Sequence, residues 1–402
     1  MKISKPELIR KINRKLVLDV IRKNPLCTKS YISKKLGCSR QTVSIIVSNL
    51  NDEGLVLKNG IGESTKEGGK KPALVEFNPK AGYIIGSMLG RSSIGAILTD
   101  LNANIIVEKA IPNSIESGHK AIISNMVKLF EEIIKESEIE KKKLLGVGIG
   151  VQGIVSPNDG IVVALPHYPD WINIPLVNII KDELGCEVFI DNENRMRGYG
   201  EKWFGLAVNT DDFLTIYAKE GLGAGVFING KCVMGRNFLS GEIGHIRLDA
   251  DGPDCVCGNK GCFESLVNVA RIRQIFNEKS GLDEFRDSLL VKKFKDNNLE
   301  IMIEELFDYF YKGDNLAKLI VDEISYWFGI GISVISSVID PGLIIIHGPY
   351  SFGGDYFKKK VIENAEKNFL LNISKEVNIV YSKLEKKAVL IGSASIVLEK
   401  VL

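Results

Sequence analysis

Apolar residues recur at helical spacing in the first fifty residues, and polar or glycine positions separate the repeats. Segment 8–24 predicts a first helix, whose apolar positions are Leu8, Ile12, Leu16, Val17, Val20 and Ile21. Thr28 can cap a short second helix that ends at Gly37. Ser39 can cap a third helix that runs to Leu50. The pattern therefore predicts three helices at the start of the chain.

Two short helices joined by a tight turn containing glycine are typical of a helix-turn-helix. The outward side of the third helix can hydrogen-bond base edges and phosphates, and we predict DNA contacts from Ser39, Arg40, Gln41, Thr42, Ser44 and Ser48. A polar hairpin between residues 59 and 72 and a return strand over 73–77 would form a wing, with Lys70 and Lys71 as further DNA contacts. Residues 1–78, called the head below, are predicted to form a winged helix-turn-helix domain.

The charge distribution supports DNA as the partner of the head. Residues 1–80 carry 17 Lys and Arg against 7 Asp and Glu, whereas the remaining 322 residues carry 35 against 43. A basic head on an acidic body should bind a polyanion. A solvated basic face and a three-helix protein-interaction module are the alternatives, but charge, turn and wing agree on duplex DNA.

The chain shows no membrane signal in its sequence. Its longest uncharged stretches, 324–339 with 16 residues and 144–158 with 15, are shorter than the roughly 18–20 residues that a spanning helix needs. The N-terminal residues lack the apolar core of a signal peptide. We therefore expect a cytoplasmic protein.

From residue 81 the pattern changes to alternating strands and helices. Strands are predicted at 83–86, 93–98, 104–107, 144–151 and 187–192, with helices over 119–137 and before the last strand. The same order recurs after residue 212, with strands at 213–217, 223–228 and 342–348. Two such halves predict a bilobal α/β body that binds its ligand between the lobes.

Three of the seven cysteines are clustered. Cys255, Cys257 and Cys262 fall within eight residues, and Gly258 and Gly261 allow a tight turn between them. A reducing cytoplasm disfavours disulfides, so the cluster predicts metal ligands.

Two motifs carry a resemblance to a known family. Residues 241–245 (Gly-Glu-Ile-Gly-His) followed by 255–264 (Cys-Val-Cys-Gly-Asn-Lys-Gly-Cys-Phe-Glu) resemble the signature of the ROK family of repressors, open reading frames and sugar kinases. Residues 69–72 and 388–394 agree with it. With the head, the chain resembles the family's transcriptional repressors over its whole length, and 191–205 is most similar to the xylose-repressor branch.

The resemblance implies a duplicated, ribonuclease H-like body of the actin/hexokinase type. It implies a first lobe over 79–193 plus 388–402 and a second lobe over 194–387 that carries an oligomerisation surface and a structural zinc ion (Zn2+). His245 would complete a Cys3His zinc site, with a hydrogen-bonded core histidine as the alternative. The family's sugar contacts correspond to Asn192, Glu193, Glu242, His245 and Glu264. His167 aligns where the kinases often have Asn, although an exposed loop histidine is equally compatible.

Three departures from the kinase members predict that catalysis is absent. Glu193 replaces their general-base Asp, and a ~1 Å misplacement can cost about 100-fold in rate. Met88 stands at the acid of the first phosphate loop, which removes the expected partner of magnesium. Residues 219–221 (Lys-Glu-Gly) replace Gly-Thr-Gly at the second loop and put a carboxylate where phosphate should lie.

The leading hypothesis is a sugar-responsive transcriptional repressor that binds a palindromic operator as a homodimer or homotetramer, with half-sites about 10 bp apart or a multiple of it. Xylose is the expected sugar, followed by glucose or a β-glucoside. An ATP-dependent sugar kinase with an attached DNA-binding domain is the alternative. A DNA-bound scaffold released by a partner protein is a third hypothesis.

Overall fold

The computed structural model describes residues 6–61, 71–166, 168–294, 300–369 and 378–402. Residues 62–70, which make up most of the predicted wing hairpin and include Lys70, and His167, a predicted sugar contact, lie outside the described residues.

The head contains the three predicted helices, α1 (Pro6–Lys23), α2 (Lys29–Leu36) and α3 (Arg40–Asp52). The Thr28 and Ser39 hydroxyls accept hydrogen bonds from the backbone N–H groups of Tyr31 and Thr42, so both predicted N-caps are confirmed. Gly37 ends α2 in the left-handed conformation, with φ of 65°. Strands β1 (Cys27–Thr28), β2 (Val56–Ile61) and β3 (Ala73–Phe77) form an antiparallel sheet in the order β1-β3-β2. The winged helix-turn-helix is therefore present.

Only part of the apolar face of α1 is buried. Val17, Val20 and Ile21 are buried, but Leu8, Ile12 and Leu16 are 53%, 50% and 44% exposed. Periodicity identifies an apolar face but not the part of it that neighbouring elements cover, and here the C-terminal half of α1 supplies the core.

A short connection joins the head to the body. Strand β3 ends at Phe77 and the first body strand begins at Tyr83, with a 3-10 turn over Pro79–Ala81 between them. The Asn78 side-chain amide donates to the Gly54 carbonyl at 2.8 Å, and the backbone N–H of Leu101 donates to the Pro79 carbonyl at 3.0 Å. The connection is thus hydrogen-bonded to both domains.

The first half of the body is built on one five-stranded sheet. Its elements are β4 (Tyr83–Leu89), β5 (Ser93–Asp100), β6 (Ile105–Pro112), α4 (Gly118–Ser137), β7 (Leu144–Val151), β8 (Ile154–Ser156), β9 (Ile161–Leu165), β10 (Tyr168–Ile174), α5 (Leu176–Leu184) and β11 (Val188–Asn192). The sheet order is β11-β7-β4-β5-β6, with β4, β5 and β6 antiparallel and β7 and β11 parallel to β4. A small antiparallel sheet of β8, β9 and β10 was not predicted.

The second half repeats this arrangement. Its elements are α6 (Glu193–Phe204), β12 (Phe213–Ala218), β13 (Leu222–Ile228), β14 (Lys231–Cys232), α7 (Phe263–Val267), α8 (Val269–Lys279), α9 (Leu289–Phe294), α10 (Ile303–Tyr311), α11 (Asn315–Ile339), β15 (Leu343–His347), α12 (Gly354–Glu366), β16 (Ile379–Tyr381) and α13 (Ala388–Val401). The sheet order is β14-β13-β12-β15-β16, with β15 and β16 parallel to β12. The predicted recurrence and the bilobal α/β class are confirmed.

Helices α6 and α13 cross between the two sheets. Helix α6 follows β11 of the first sheet and packs on β12 and β13 of the second, whereas α13 follows β16 and packs on β4 and β7. Glycines permit this close packing, because a Cβ at Gly148 would collide with the Ser393 carbonyl and one at Gly392 with the Met196 carbonyl. The crossing places the start of α6 between the two halves of the body.

Helix α11 is long and apolar enough to cross a membrane by length and composition, with a mean hydropathy of 1.4 in its most apolar window. Because its first turns contain charged residues, the uncharged stretch counted in the sequence is shorter than this helix. However, 56% of that window is buried inside the protein, with Ile324, Phe328 and Ile332 in the core of the second half. This pattern is typical of a core helix.

Candidate functional site

The N-terminal part of α3 presents polar side chains to solvent, as predicted. Arg40, Gln41 and Ser48 are exposed on α3, and Lys71 is exposed at the start of the return strand of the wing. A protruding helix with these donors, beside a wing, has the shape and chemistry that a major groove accepts.

Three other predicted DNA contacts already have partners inside the head. The hydroxyls of Ser39 and Thr42 lie 2.8 Å apart, and Ser39 also caps the helix. The Ser44 hydroxyl accepts a hydrogen bond from the Lys29 ammonium group at 2.9 Å. These hydroxyls therefore stabilise α3 and its contact with α2 in this structure.

The predicted metal ligands come together in the second half of the body. One ligand atom from each of His245, Cys255, Cys257 and Cys262 lies within 4.8 Å of the other three. The His245 Nδ1 to Cys255 Sγ distance and the Cys257 Sγ to Cys262 Sγ distance are both 3.6 Å. Because Zn–S bonds are about 2.3 Å, sulfurs on a tetrahedral zinc ion lie about 3.7 Å apart. The donor set and its spacing fit a Cys3His zinc ion.

Local backbone geometry forms this cluster. Gly258 and Gly261 have φ of 89° and 61°, and a Cβ at Gly261 would collide with the Asp249 carbonyl. The backbone N–H of Cys255 donates to the Asn259 carbonyl at 2.8 Å and closes the turn. The glycines that the sequence suggested for this turn are therefore required by its shape.

Cys257, the exposed cysteine of the cluster, favours its thiolate form. The backbone N–H of Asn259 lowers the pKa of the Cys257 thiol to about 7. Burial raises the pKa of the Cys262 thiol to about 12, and a bound cation would favour its thiolate.

Two carboxylates of the predicted sugar site lie beside the metal ligands. The His245 backbone N–H donates to the Glu242 carbonyl at 3.2 Å, and the Glu264 carboxylate accepts the backbone N–H of Leu222 at 2.8 Å. Glu242 is exposed as a residue, yet desolvation of its carboxyl group raises the pKa, with Glu264 acting in the same direction and His245 and Arg195 opposing it. His245 faces Cys255 with Nδ1.

The other two predicted sugar residues lie at the start of α6. The Asn192 side chain caps this helix by accepting from the Asn194 backbone N–H at 2.8 Å, and it donates to the Gly153 carbonyl at 3.1 Å. A Cβ at Gly223 would collide with the Asn194 amide. The start of α6 thus lies against β13, so the structure brings both groups of predicted sugar residues to the β12–β13 end of the second sheet.

Glu193, the residue at the kinase base position, is paired with an arginine that the sequence analysis missed. Glu193 is buried, and its Oε2 lies 3.1 Å from an Arg197 guanidinium nitrogen as an ion pair without directed hydrogen-bond geometry. Arg197 also donates to Asn194 at 2.9 Å and stacks 3.9 Å from the centre of the Tyr217 ring. The i, i+4 spacing of Glu193 and Arg197 was the available signal.

Two further buried polar groups on α6 were missed. Arg195 pairs with Asp191 at 2.5 Å and donates to the Phe238 carbonyl at 3.0 Å, which connects α6 with the loop before Glu242. The Glu201 carboxylate lies 3.3 Å from Nε2 of His347. His347 is buried on β15, the strand that pairs with β12. Burial lowers the pKa of His347 well below its usual value, and Arg197 adds to this effect.

Side chains from other parts of the body form hydrogen bonds with the two turns that correspond to phosphate loops. After β4, the Gly90 carbonyl accepts from the Asn113 side chain at 2.8 Å. After β12, Lys219 forms an ion pair with Glu220 at 3.0 Å. In the same turn, the backbone N–H of Leu222 donates a hydrogen bond to the Glu264 carboxylate. The Glu264 carboxylate thus accepts a hydrogen bond from a backbone N–H group of the second turn.

The fold and site define a winged helix-turn-helix protein with a sugar kinase-like body. The ROK family model matches residues 84–400. A xylose repressor from Caldicellulosiruptor bescii is 30% identical over 397 residues, covering 98% of this chain and 97% of the relative. The chain belongs to the ROK family.

Two further comparisons distinguish the whole chain from the body. A solved ROK family transcriptional regulator, a homologue of the Escherichia coli MLC protein, has a TM-score of 0.84 at 24% identity, covering 97% of this chain and 96% of its own. A glucokinase from Thermotoga maritima is 28% identical over 318 residues, covering 79% of this chain and 98% of its own. The repressor matches include the length of the head, whereas this kinase matches a shorter part of the chain.

Proposed function

We propose that the protein is a sugar-responsive transcriptional repressor, and that a free sugar bound in the body changes the affinity of the head for operator DNA. The observation that carries this proposal is the combination in one chain of a basic winged helix-turn-helix with a sugar kinase-like body that brings the start of α6 and Glu264 to the same end of its second sheet. The full-length similarity to a xylose repressor supports the same function and makes D-xylose the first sugar to test.

The sugar site comprises Asn192, Glu193, Glu242, His245 and Glu264 in this proposal. Carboxylates hold neutral polyols through charge-assisted hydrogen bonds, which are stronger than neutral ones. A structural zinc ion on Cys255, Cys257, Cys262 and His245 would fix the imidazole, so that its other nitrogen can donate to a sugar hydroxyl.

The domain boundaries of the proposal are the head at 1–78, the first lobe at 79–193 plus 388–402, and the second lobe at 194–387. A homodimer or homotetramer in the cytoplasm would place two α3 helices in successive major grooves of a palindromic operator.

An ATP-dependent sugar kinase is the second candidate, supported by the glucokinase similarity. The Glu193–Arg197 pair argues against it, because a general base must accept a proton and a buried carboxylate would first have to give up its cation. We propose that the chain has no kinase activity, and an assay of ADP release across a sugar panel tests this.

Thermal unfolding with free sugars, with and without ATP and magnesium, tests the function directly. A ligand at 100 times its Kd adds about 2.7 kcal/mol to stability, which is easily measured. Stabilisation by D-xylose or another free sugar, without a further effect of ATP, supports the repressor. Stabilisation by ATP would support the kinase, and no effect of any sugar would contradict both candidates.

The DNA surface is tested by Arg40→Ala. This variant should weaken binding to a duplex selected by the wild-type chain and leave sugar binding unchanged, because Arg40 is exposed on α3. Arg286→Ala, which removes an exposed arginine of the body, is the matched control. Equal operator affinity of Arg40→Ala and wild type would contradict the proposed surface.

A further inference from the structure

The head is attached to the body through an arginine stacked on a tryptophan. The Arg22 guanidinium carbon, near the end of α1, lies 4.4 Å from the centre of the Trp203 ring on α6. Arg22 also donates to the Trp203 carbonyl at 3.1 Å. A stacked and hydrogen-bonded guanidinium defines both the distance and the orientation of the two helices.

A second contact joins the same elements through a half-buried carboxylate. Glu399, near the end of α13, accepts a hydrogen bond from the Lys15 ammonium group of α1 at 3.2 Å. The same carboxylate accepts hydrogen bonds from the Lys202 ammonium group and from the Trp203 indole N–H of α6, both at 3.1 Å. Glu399 therefore connects one residue of the head with both crossing helices.

Part of this junction is open space. A cavity of about 430 Å³ lies between α1 and the body, with Ile12 and Leu16 on one side and Trp203 and Leu402 on the other. Deeper in the junction, Val17 and other head residues share one apolar cluster with Trp203. Close-packed interfaces resist displacement, whereas voids permit it. The outer part of α1 can therefore move against the body, and the polar contacts of the junction determine which position it adopts.

Helix α6 connects this junction with the candidate sugar site. It begins at Glu193, where Asn192 caps it, and ends at Phe204, one residue after Trp203. Its 12 residues span about 18 Å. Gly198 of α6 packs on the Phe227 ring of β13, and Gly392 of α13 packs on the Met196 carbonyl of α6. Because α6 is held between β13 and α13, it should move as a rigid element.

We propose that Lys15, Arg22, Trp203 and Glu399 form the contact through which sugar binding at the start of α6 repositions the DNA-binding head. This inference rests on the proposed function and names the positioning residues that couple its two sites. Sugar contacts at one end of a rigid helix favour one orientation of that helix, and the contacts at its other end transmit this preference to α1.

The sequence offers a matched pair of variants on neighbouring residues of α1. Lys15→Gln removes the ion pair with Glu399 on the body, whereas Arg14→Gln removes a bidentate contact with Glu53 inside the head at 2.8 and 2.6 Å. Glu399→Gln makes the corresponding change from the body. Both Gln substitutions at the Lys15–Glu399 pair remove charge without removing hydrogen-bonding capacity.

The experiment measures operator affinity of the full chain without sugar and with saturating D-xylose or D-glucose, on a duplex selected from a random pool by wild type. Wild type and Arg14→Gln should show a sugar-dependent change of about 5–150-fold, whereas Lys15→Gln and Glu399→Gln should show less than about 2-fold. Calorimetric sugar affinity should stay within about 2-fold of wild type in all variants, because the changes lie far from the sugar site.

Two results would overturn the inference. A full sugar-dependent change in both Lys15→Gln and Glu399→Gln would leave the proposed function intact and remove the coupling contact. A wild type that no free sugar stabilises against thermal unfolding, and whose operator affinity no sugar changes, would remove the proposed function, and the inference with it. A double variant that loses no more coupling than either single variant would confirm that the two residues act as one contact.

Discussion

The two sheets of the body have the same strand order and directions but very different chemistry. In the first sheet, the turn after β4 is closed by a neutral side chain, with Asn113 on the Gly90 carbonyl. In the second, the turn after β12 receives the Glu264 carboxylate, beside the Cys3His cluster. Most of this chemistry comes from the segment between β14 and α8, which has no counterpart in the order of elements in the first half.

This difference shows that a repeated topology determines where strand ends meet, whereas an added segment determines what binds there. Ligands of α/β sheets bind at the carboxyl ends of strands. Both halves provide such an edge, and the second half also carries cysteines, a histidine and carboxylates at it. We therefore expect substitutions at the turn after β12 and in the segment after β14 to affect ligand binding, and comparable ones at the turn after β4 to affect stability alone.

The largest expected effect follows Cys257→Ser. Loss of one thiolate should reduce zinc content from one ion per chain to none and abolish the sugar response, because the closed site needs all four ligands. Metal analysis after dialysis checks this. Cys186→Ser, an isolated cysteine of the first half, is the control and should leave metal content unchanged. Full zinc content in Cys257→Ser would show that the ligand assignment is wrong.

A smaller effect is expected for Glu264→Gln. A hydrogen bond to a charged group contributes about 1.5–3 kcal/mol, so D-xylose affinity should fall by roughly 10- to 100-fold. Gln retains an acceptor for the Leu222 N–H and preserves the turn. Glu220→Gln, on the same turn but exposed, should change affinity little when both are measured by calorimetry. Similar affinities for the two variants would exclude Glu264 from the sugar site.

His347 should make the stability of the second half depend on pH. Because burial lowers the folded-state pKa of His347, the unfolded chain binds more protons below an unfolded pKa of about 6.5. The free energy of unfolding should therefore fall by up to about 1.4 kcal/mol per unit as pH decreases below this value. His347→Asn should lose this part of the slope in urea unfolding between pH 7.5 and 5. Parallel curves for variant and wild type would contradict the prediction.

The smallest effect is expected in the first half, for Asn113→Ala. Removing the hydrogen bond to the Gly90 carbonyl should cost about 1 kcal/mol of unfolding free energy. Sugar affinity and operator affinity should remain at wild-type values. A loss of sugar binding in Asn113→Ala would mean that the first turn also contributes to the site, and the contrast between the two halves would fail.

Local signals in the sequence predicted the head almost completely. The caps at Thr28 and Ser39 and the left-handed Gly37 act within a few residues, so their chemistry is visible in a short window. The helical pattern of α1 did not show that Leu8 is exposed, because its exposure depends on which distant elements contact it.

The candidate site was predictable in part. The cysteine spacing indicated a metal site, and resemblance supplied His245, which is 10 residues from Cys255 and approaches it through the fold. The pairing of Glu193 with Arg197 and the stacking on Tyr217 were not predicted, because they require α6 to pack on β12. The buried contact between Glu201 and His347 joins residues 146 positions apart.

The sequence by itself determined the helix caps, the alternation of strands and helices in two repeated halves, and the donor types of the metal cluster. These depend on backbone preference and side-chain chemistry, which act locally. The tertiary structure alone decided that α6 starts among the candidate sugar residues and carries Trp203, in its last turn, against Arg22 of the head. Burial and charge pairing are properties of surfaces that meet in space, and separation along the chain does not encode them.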